Sequence, residues 1–566
     1  MKRILAAAMA LTLTLSCFGG ALAEESDAAP DRPAAETSSQ EERLQVLVEK
    51  GIISQETLEA ILAYLEANPS EKPQGENTQQ PPEKPDGQQP GNDGDAPQMP
   101  EGQQPDSMGM PLPRDVLDQL LKDGILTQGE YDAIEDLQQQ SDAGPGGNKP
   151  GGNAPGGASA QDVTYAAATS LTSGTELEAG EYTSETADEN AILIDTDESV
   201  TLNQPTVTKT GDSDGGDNCN FYGLNAAVLA MGGADVTING GTITTDGDGA
   251  NGVFSYGGNG GQNGAAGDGT TVTISDTTIT TTGDGSGGIM TTGGGVTIAS
   301  NLTIETSGRS SAAIRTDRGG GIVTVDGGSY TTNGLGSPAI YSTADVSVAN
   351  AQLVSNLSEG VCIEGKNSIA LTDCDLTASN TQCNGNATFL DSIMIYQSMS
   401  GDADSGTSAF TMTGGSLTSK SGHVFHVTNT HAIITLSGVD IANEDADNVL
   451  LSVCDDGWNG GNHHAELNAS AQTLSGAILV GSSATLNLSL TDGSTFTGSI
   501  TGEITNSRGD DISTEAGEAS VMLDEGSTWT LTADSYVTSF TGNAEQVVST
   551  GYTLYVNGVA LEGTKA

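Results

Sequence analysis

Basic residues are scarce in this chain. Its 566 residues hold 18 Lys plus Arg against 75 Asp plus Glu, a formal net charge of −57. So acidic a surface repels nucleic acid and anionic membrane, which excludes both as partners, and it draws cations. Aromatics make up only 4% of the chain while glycines number 77. That composition leans toward disorder, but alternation of Val and Ile with Thr argues for many short strands. Cysteines are few. Beyond Cys17 there are Cys219, Cys362, Cys374, Cys383 and Cys454. Their odd number and wide spacing argue against a disulfide framework, and the lack of a C-x-x-C pair excludes a zinc ribbon or redox dithiol. The chain contains no H-E-x-x-H and no P-loop, so the commonest metalloprotease and nucleotide signatures are missing. After residue 23 no apolar run is long enough to span a membrane.

What is present begins with a secretory pattern over residues 1–23. Lys2 and Arg3 precede an apolar run at residues 4–15, and Ala21-Leu22-Ala23 forms an A-x-A cleavage site. A lipoprotein anchor at Cys17 is the rival reading, although Thr14-Leu15-Ser16 fits that pattern poorly. Residues 24–40 read as a flexible leader. Two helical hairpins follow at 41–67 and 113–140, with Gly51 and Gly124 as helix stops and Ser54 and Thr127 as the next N-caps. Thr127 and Glu130 make a capping box. Residues 68–112 and 141–161, rich in Pro, Gln, Gly and Asn, read as linkers.

From residue 162 onward a short phrase recurs: Val236-Thr-Ile238, Val272-Thr-Ile274, Val296-Thr-Ile298, Val323-Thr-Val325, Val346-Ser-Val348, Ile369-Ala-Leu371, Phe410-Thr-Met412 and Ile434-Thr-Leu436. Most steps are 22 to 27 residues; the first is 36 and the one before Phe410 is 41. A fixed period of this size marks a solenoid. Each period holds three strand-like pieces, as in Val323-Thr-Val325, Ser329-Tyr-Thr331 and Ala339-Ile-Tyr341. Three short strands per turn with Gly, Asn and Asp at the corners predict a mainly β, parallel β-helix over 162–464. Final turns and a cap are expected over 465–566.

The phrases Ile238-Asn-Gly-Gly-Thr-Ile243, Ile363-Glu-Gly-Lys-Asn-Ser368, Met394-Ile-Tyr-Gln-Ser-Met-Ser-Gly401 and Phe410-Thr-Met-Thr-Gly-Gly-Ser-Leu417 resemble those of pectate-lyase-like, right-handed parallel β-helices of the adhesin-like, secreted type. The two hairpins resemble SHOCT-like helical modules. The first resemblance implies a right-handed β-helix and a secreted or cell-surface setting. It carries no catalytic residue across.

Aligning Ile314, Ile340, Ile363, Ile395 and Phe425 as inward residues predicts an outward column of Arg315, Tyr341, Glu364, Tyr396 and His426, because successive strand residues face opposite ways. Phe254 and Met290 extend it. Two residues on lies a second column with Asp317, Thr343, Lys366, Ser398 and Thr428. Aromatic faces stack on sugar rings and flanking charges orient them, so the strip is a candidate glycan site; the bland alternative is a set of pairs that stabilise the sheet. Acidic corners at Asp212, Asp214, Asp246, Asp248, Asp402 and Asp404 are candidate Ca²⁺ ligands, calcium being the one cofactor the sequence suggests. Asp and Gly are also ordinary turn residues. His463-His464 lacks an evident third ligand and reads as an exposed loop. The expectation is therefore a secreted or surface-displayed monomer that binds an extracellular glycan or a neighbouring cell surface without catalysis. The alternatives are a calcium-dependent polysaccharide lyase and a structural spacer.

Overall fold

A computed structural model describes residues 163–566 apart from 214–216, 260–265, 399, 457, 459 and 460. It also describes Thr57, Leu58, Ala60, Ile61, Leu62, Tyr64, Leu120, Lys122 and Ile125. The signal, leader and linker readings, Cys17 and Asp214 lie outside the described residues. The chain divides into two units, 1–151 and 152–566. In the first, the described residues from Thr57 to Tyr64 are helical, with Leu58 and Ile61 buried one turn apart.

In the second unit the short Val/Ile/Thr runs form strands that pair in parallel, one turn with the next. One sheet has 13 strands. Its central members are Val253–Tyr256, Ile289–Thr292, Ile314–Thr316, Ile340–Ser342, Val361–Glu364, Asp391–Tyr396, His423–Thr428 and Val449–Val453. The other two strands of each turn, such as Asp345–Ala349 and Gln352–Ser355, build a 22-stranded sheet. Those two columns count as one sheet because Gly295–Thr306 and Gly321–Thr332 run unbroken around the corner between them. Three parallel ladders per turn make a parallel β-helix, as the period predicts. Inward residues such as Val346, Val348, Leu353, Val361 and Ile363 are buried in one continuous core.

In the larger sheet a corner separates the two ladders, and from Gln204 to Asp492 the same corner of each turn holds at least one left-handed residue. Gln204, Gly240, Asp276, Asn301, Gly327, Asn350, Asp373, Gly414, Gly438, Ala471 and Asp492 have φ between 49° and 73°. Gly, Asn and Asp reach this region at least cost, which explains the corner composition. Where neighbouring corners carry amides, their side chains bond along the stack. Asn239 Nδ2 donates to Asn203 Oδ1 at 2.9 Å, and Asn350 Nδ2 to Asp326 Oδ1 at 2.7 Å.

One phrase does not sit as expected. Val272 pairs with Thr297, not Val296, so Thr297 and Ala299 turn inward and Ile298 is 45% exposed. The left-handed corner sets the register: Ile274 lies two residues before Asp276, and Ala299 lies two before Asn301. A slip of one residue exchanges the two faces of a strand. The hydroxyl this buries, Thr297 Oγ1, bonds Thr291 Oγ1 at 2.6 Å.

A second stack sits at another corner. Gly211, Gly247, Gly283, Gly308 and Gly334 lie one turn apart, each against the backbone of the turn before. Beyond residue 465 parallel turns continue through Thr485–Thr491 and Glu518–Leu523, with Trp529 stacked on Phe496 at 5.6 Å. The antiparallel pair Leu554–Val556 and Val559–Ala560 closes the chain's last described turns. No disulfide links the five described cysteines. Among the described residues no helix is long and apolar enough to cross a membrane.

Candidate ligand-binding cleft

The outer face of the 13-stranded sheet carries most of the residues singled out above, in a different register. Phe254, Met290, Arg315 and Tyr341 do form one column, but it continues through Cys362, Met394 and His426 to Ser452. Glu364 and Tyr396 pair with each other and with Thr428, two residues along the strands. The single column of Arg315, Tyr341, Glu364, Tyr396 and His426 is thus corrected to two. The cause is that Ile340 pairs with Val361, so Ile363 falls opposite Ser342. A slip of two keeps each side chain on its expected face.

A second correction concerns exposure. His426 is 0%, Glu364 1%, Asp317 4% and Tyr396 8% exposed. The helix Asn218–Tyr222 and the loops that carry Ala387, Phe389 and Trp458 fold over the sheet. Phe389 stacks on His426 at 4.6 Å and Trp458 packs on Tyr396 at 4.9 Å. Strand periodicity shows which face a residue takes; it does not show which insertion covers that face.

Under this cover Glu364 organises a hydroxyl cage. Its Oε2 accepts from Tyr341 Oη at 2.5 Å and Tyr396 Oη at 3.2 Å, and its Oε1 from Ser398 and Ser400. Burial pushes the Glu364 carboxyl up, while the hydroxyls pull it down. Burial and the Glu364 charge together keep the Tyr341 phenol protonated. Arg315 Nη2 donates to Asp317 Oδ2 at 2.9 Å, its Nη1 to Ser310 O at 2.9 Å, and its guanidinium lies 5.9 Å over the Tyr341 ring. Burial raises Asp317 to about 6 against the pull of Arg315.

The part of the strip that stays open is a cleft of about 220 Å³ lined by Ser310, Ala312, Arg315, Gly336, Pro338, Tyr341 and Asn384. Lys366 stands elsewhere, on a pocket of about 410 Å³ with the glycines 319–321 and Ile322, and pairs with Asp404 at 2.7 Å.

The acidic corners act on the backbone. Asp248 N donates to Asp212 Oδ1 at 3.0 Å, Asp284 N to Asp248 Oδ1 at 2.9 Å, and Arg309 N to Asp284 Oδ1 at 2.7 Å, one turn after another. Asp402 accepts from Arg318 at 2.6 Å. Asp246 is exposed beside this ladder. His463 and His464 lie in the strand His463–Ser470, not in a loop, and face opposite ways. His463 is 4% exposed and accepts from Asn429 N at 3.0 Å; His464 points out and stacks on His431.

A buried polar group nearby was not anticipated. Ser452 Oγ lies 2.7 Å from Nδ1 of both His423 and His426, and Asp456 Oδ2 lies 3.4 Å from His426 Nε2. Asp391 pairs in register with His423, is fully buried, and neither of its oxygens has a hydrogen-bond partner. Its periodic traces in the sequence are the 32-residue step from Asp391 to His423 and the 26-residue step from His426 to Ser452.

These groups set a pH dependence. Asp317, Glu359, Glu364 and Asp391 are all raised, burial being the largest cause in each. Between its unfolded and folded values each carboxyl binds more proton in the fold, so its contribution to stability is present at low pH and lost as pH rises. His423, held down to about 3 by burial and by His426, and His464, lowered likewise, act the opposite way below about pH 6.5. The net charge of −57 acts in the same direction as the carboxyls, because its self-repulsion eases on acidification. The urea midpoint is expected to be higher near pH 5 than near pH 8, and Asp391→Asn should raise it near pH 8 and flatten the profile. A parent midpoint that falls steadily with acidification would contradict this.

Compared with family models, with curated proteins and with solved structures, the chain matches none, so the fold rests on the strand registers above and the function on the chemistry of the cleft.

Proposed function

We propose that the chain is an extracellular, non-catalytic β-helix that binds glycan, and that a sugar ring seats in the cleft of Arg315, Tyr341 and Asn384. The observation that carries this reading is the state of Tyr341. Its hydroxyl is tied to Glu364 at 2.5 Å, while its half-buried ring lines the open cleft beside the Arg315 guanidinium. A locked aromatic face with donors at its rim matches the apolar C–H face and hydroxyl edge of a pyranose. Little side-chain entropy is left to lose on binding. The net charge of −57 disfavours acidic polymers and favours neutral or amino sugars. A secretory reading of residues 1–23 places such a site outside the cell.

A glycan array probed with the full chain tests the proposal. Tyr341→Ala should lose the bound set. Tyr396→Ala should weaken it indirectly, by loosening Glu364. Tyr536→Ala, an exposed tyrosine on a different sheet, should leave it unchanged. Full binding by Tyr341→Ala would sink the site. Release of unsaturated uronate from pectin-type polymers would overturn the non-catalytic reading.

A further inference from the structure

All five histidines of the chain fall between residues 423 and 464. His423 and His426 lie on the first sheet, and His463 is buried at the start of a strand of the larger one. The other two, His431 and His464, stand outside on the larger sheet, on strands that pair directly: Thr430–Ser437 and His463–Ser470. His431 lies opposite His464, and Ile433 opposite Glu466. The two imidazoles are parallel, with centroids 4.1 Å apart and planes 4° apart. His431 Nε2 lies 3.0 Å from Glu466 Oε1.

We infer that His431, His464 and Glu466 form a binding site for one divalent first-row transition-metal ion such as zinc. One ligand atom from each side chain lies within 4.8 Å of the others. Ligand bonds of about 2.0–2.2 Å around one ion need those atoms somewhat closer. The side chains can close that gap by rotation, since His431 and Glu466 are 27% and 34% exposed. The backbone that carries them need not move, because a parallel ladder fixes both strands. Two further groups support the site. Thr407 Oγ1 lies 3.4 Å from His431 Nδ1, where it orients the ring from behind. The Asn487 amide lies 3.0 Å from His464 Nε2, where its carbonyl can complete a fourth position by rotation.

The electrostatics agree. Neutral imidazole is the form that ligates metal. Two nitrogens and one carboxylate select zinc, copper, nickel or cobalt over calcium, which takes oxygen ligands alone. The surplus of acidic residues raises the local concentration of any cation. The site lies on a different sheet from the Arg315–Tyr341 cleft and does not depend on it.

The test is a zinc titration of the full chain, prepared without a polyhistidine tag, by calorimetry. Cobalt is the spectroscopic substitute, read by the visible absorption of a tetrahedral ion. One zinc per chain is expected, with calcium unable to displace it. His431→Ala, His464→Ala and Glu466→Gln should each weaken binding by about tenfold or more. Asp440→Asn, an exposed carboxylate on a neighbouring strand, should not. Circular dichroism checks that each variant is folded; should a histidine variant misfold, the near-isosteric Glu466→Gln decides. Absence of zinc binding, or affinity unchanged in Glu466→Gln and the folded histidine variants, would overturn the site.

Discussion

Phe425→Ala is expected to cost about 3–5 kcal/mol of stability. Phe425 is fully buried in the β-helix core, set edge-on against Phe410 at 5.8 Å between Ile393 and Leu451 of the adjoining turns. Phenylalanine is rare here, eight in 566 residues, and the neighbouring Ile, Val and Leu side chains are held by ladders on both sides. They cannot collapse into the space, so the cavity term stays large. The loss should also be local, because each turn of a solenoid contacts only its neighbours. Both tryptophans, Trp458 and Trp529, lie after Phe425 in the chain. Tryptophan fluorescence of the variant should therefore change at lower denaturant than the circular dichroism of the whole sheet. Two probes that superimpose at the parent's midpoint would disprove the estimate.

Gly308→Ala should be nearly as damaging, by about 3 kcal/mol, through the opposite fault of overpacking. A Cβ on Gly308 would stand 1.8 Å from the carbonyl oxygen of Gly283 and 2.4 Å from its carbon. Gly334 meets Gly308 O at 1.8 Å, and Gly283 meets Gly247 O at 2.1 Å. The obstacle is backbone each time, so no rotamer change relieves it. Relief requires two turns to part beyond the strand spacing of about 4.8 Å. That strains the adjoining bonds from Gly285 N to Arg309 O and from Ser310 N to Leu335 O. Hydrogen exchange should quicken for these amides, while Gly461→Ala, with nothing near its added methyl, should behave as the parent. Slow exchange at Gly285 and Ser310 in the Gly308 variant would refute the argument.

The architecture was legible because two signals agreed. Alternating Val, Ile and Thr marked the ladders, and Gly, Asn and Asp marked the corners. The register was legible only where the distance from phrase to corner stayed constant. Val296-Thr-Ile298 carries one extra residue before Asn301, and the corner prevailed over the phrase. The column through Tyr341 failed in the same way, by two residues, at Val361. The candidate site was half legible. Arg315 and Tyr341 fall in one cleft, but Asn384 comes from an inserted loop with no counterpart in the adjoining turns. The burial of Glu364, Tyr396 and His426 depends on those insertions too. His431 and Glu466 are not legible as a pair with His464, because neighbours in a strand part company while residues one period apart meet.

The left-handed corners give the chain a unit of length. A segment from one corner to the next, such as 327–349, is closed in itself: its start and end present the same ladder groups to whatever lies above and below. Duplicating it would lengthen the rod by about 4.8 Å and leave every pairing intact. The thirteen strands of the first sheet mark twelve such steps, roughly 58 Å from first to last. Inserting one residue, by contrast, would turn a core strand inside out. A whole turn is thus the unit that can be added or removed without disturbing the pairing of the rest, while the loops can vary in length at each step.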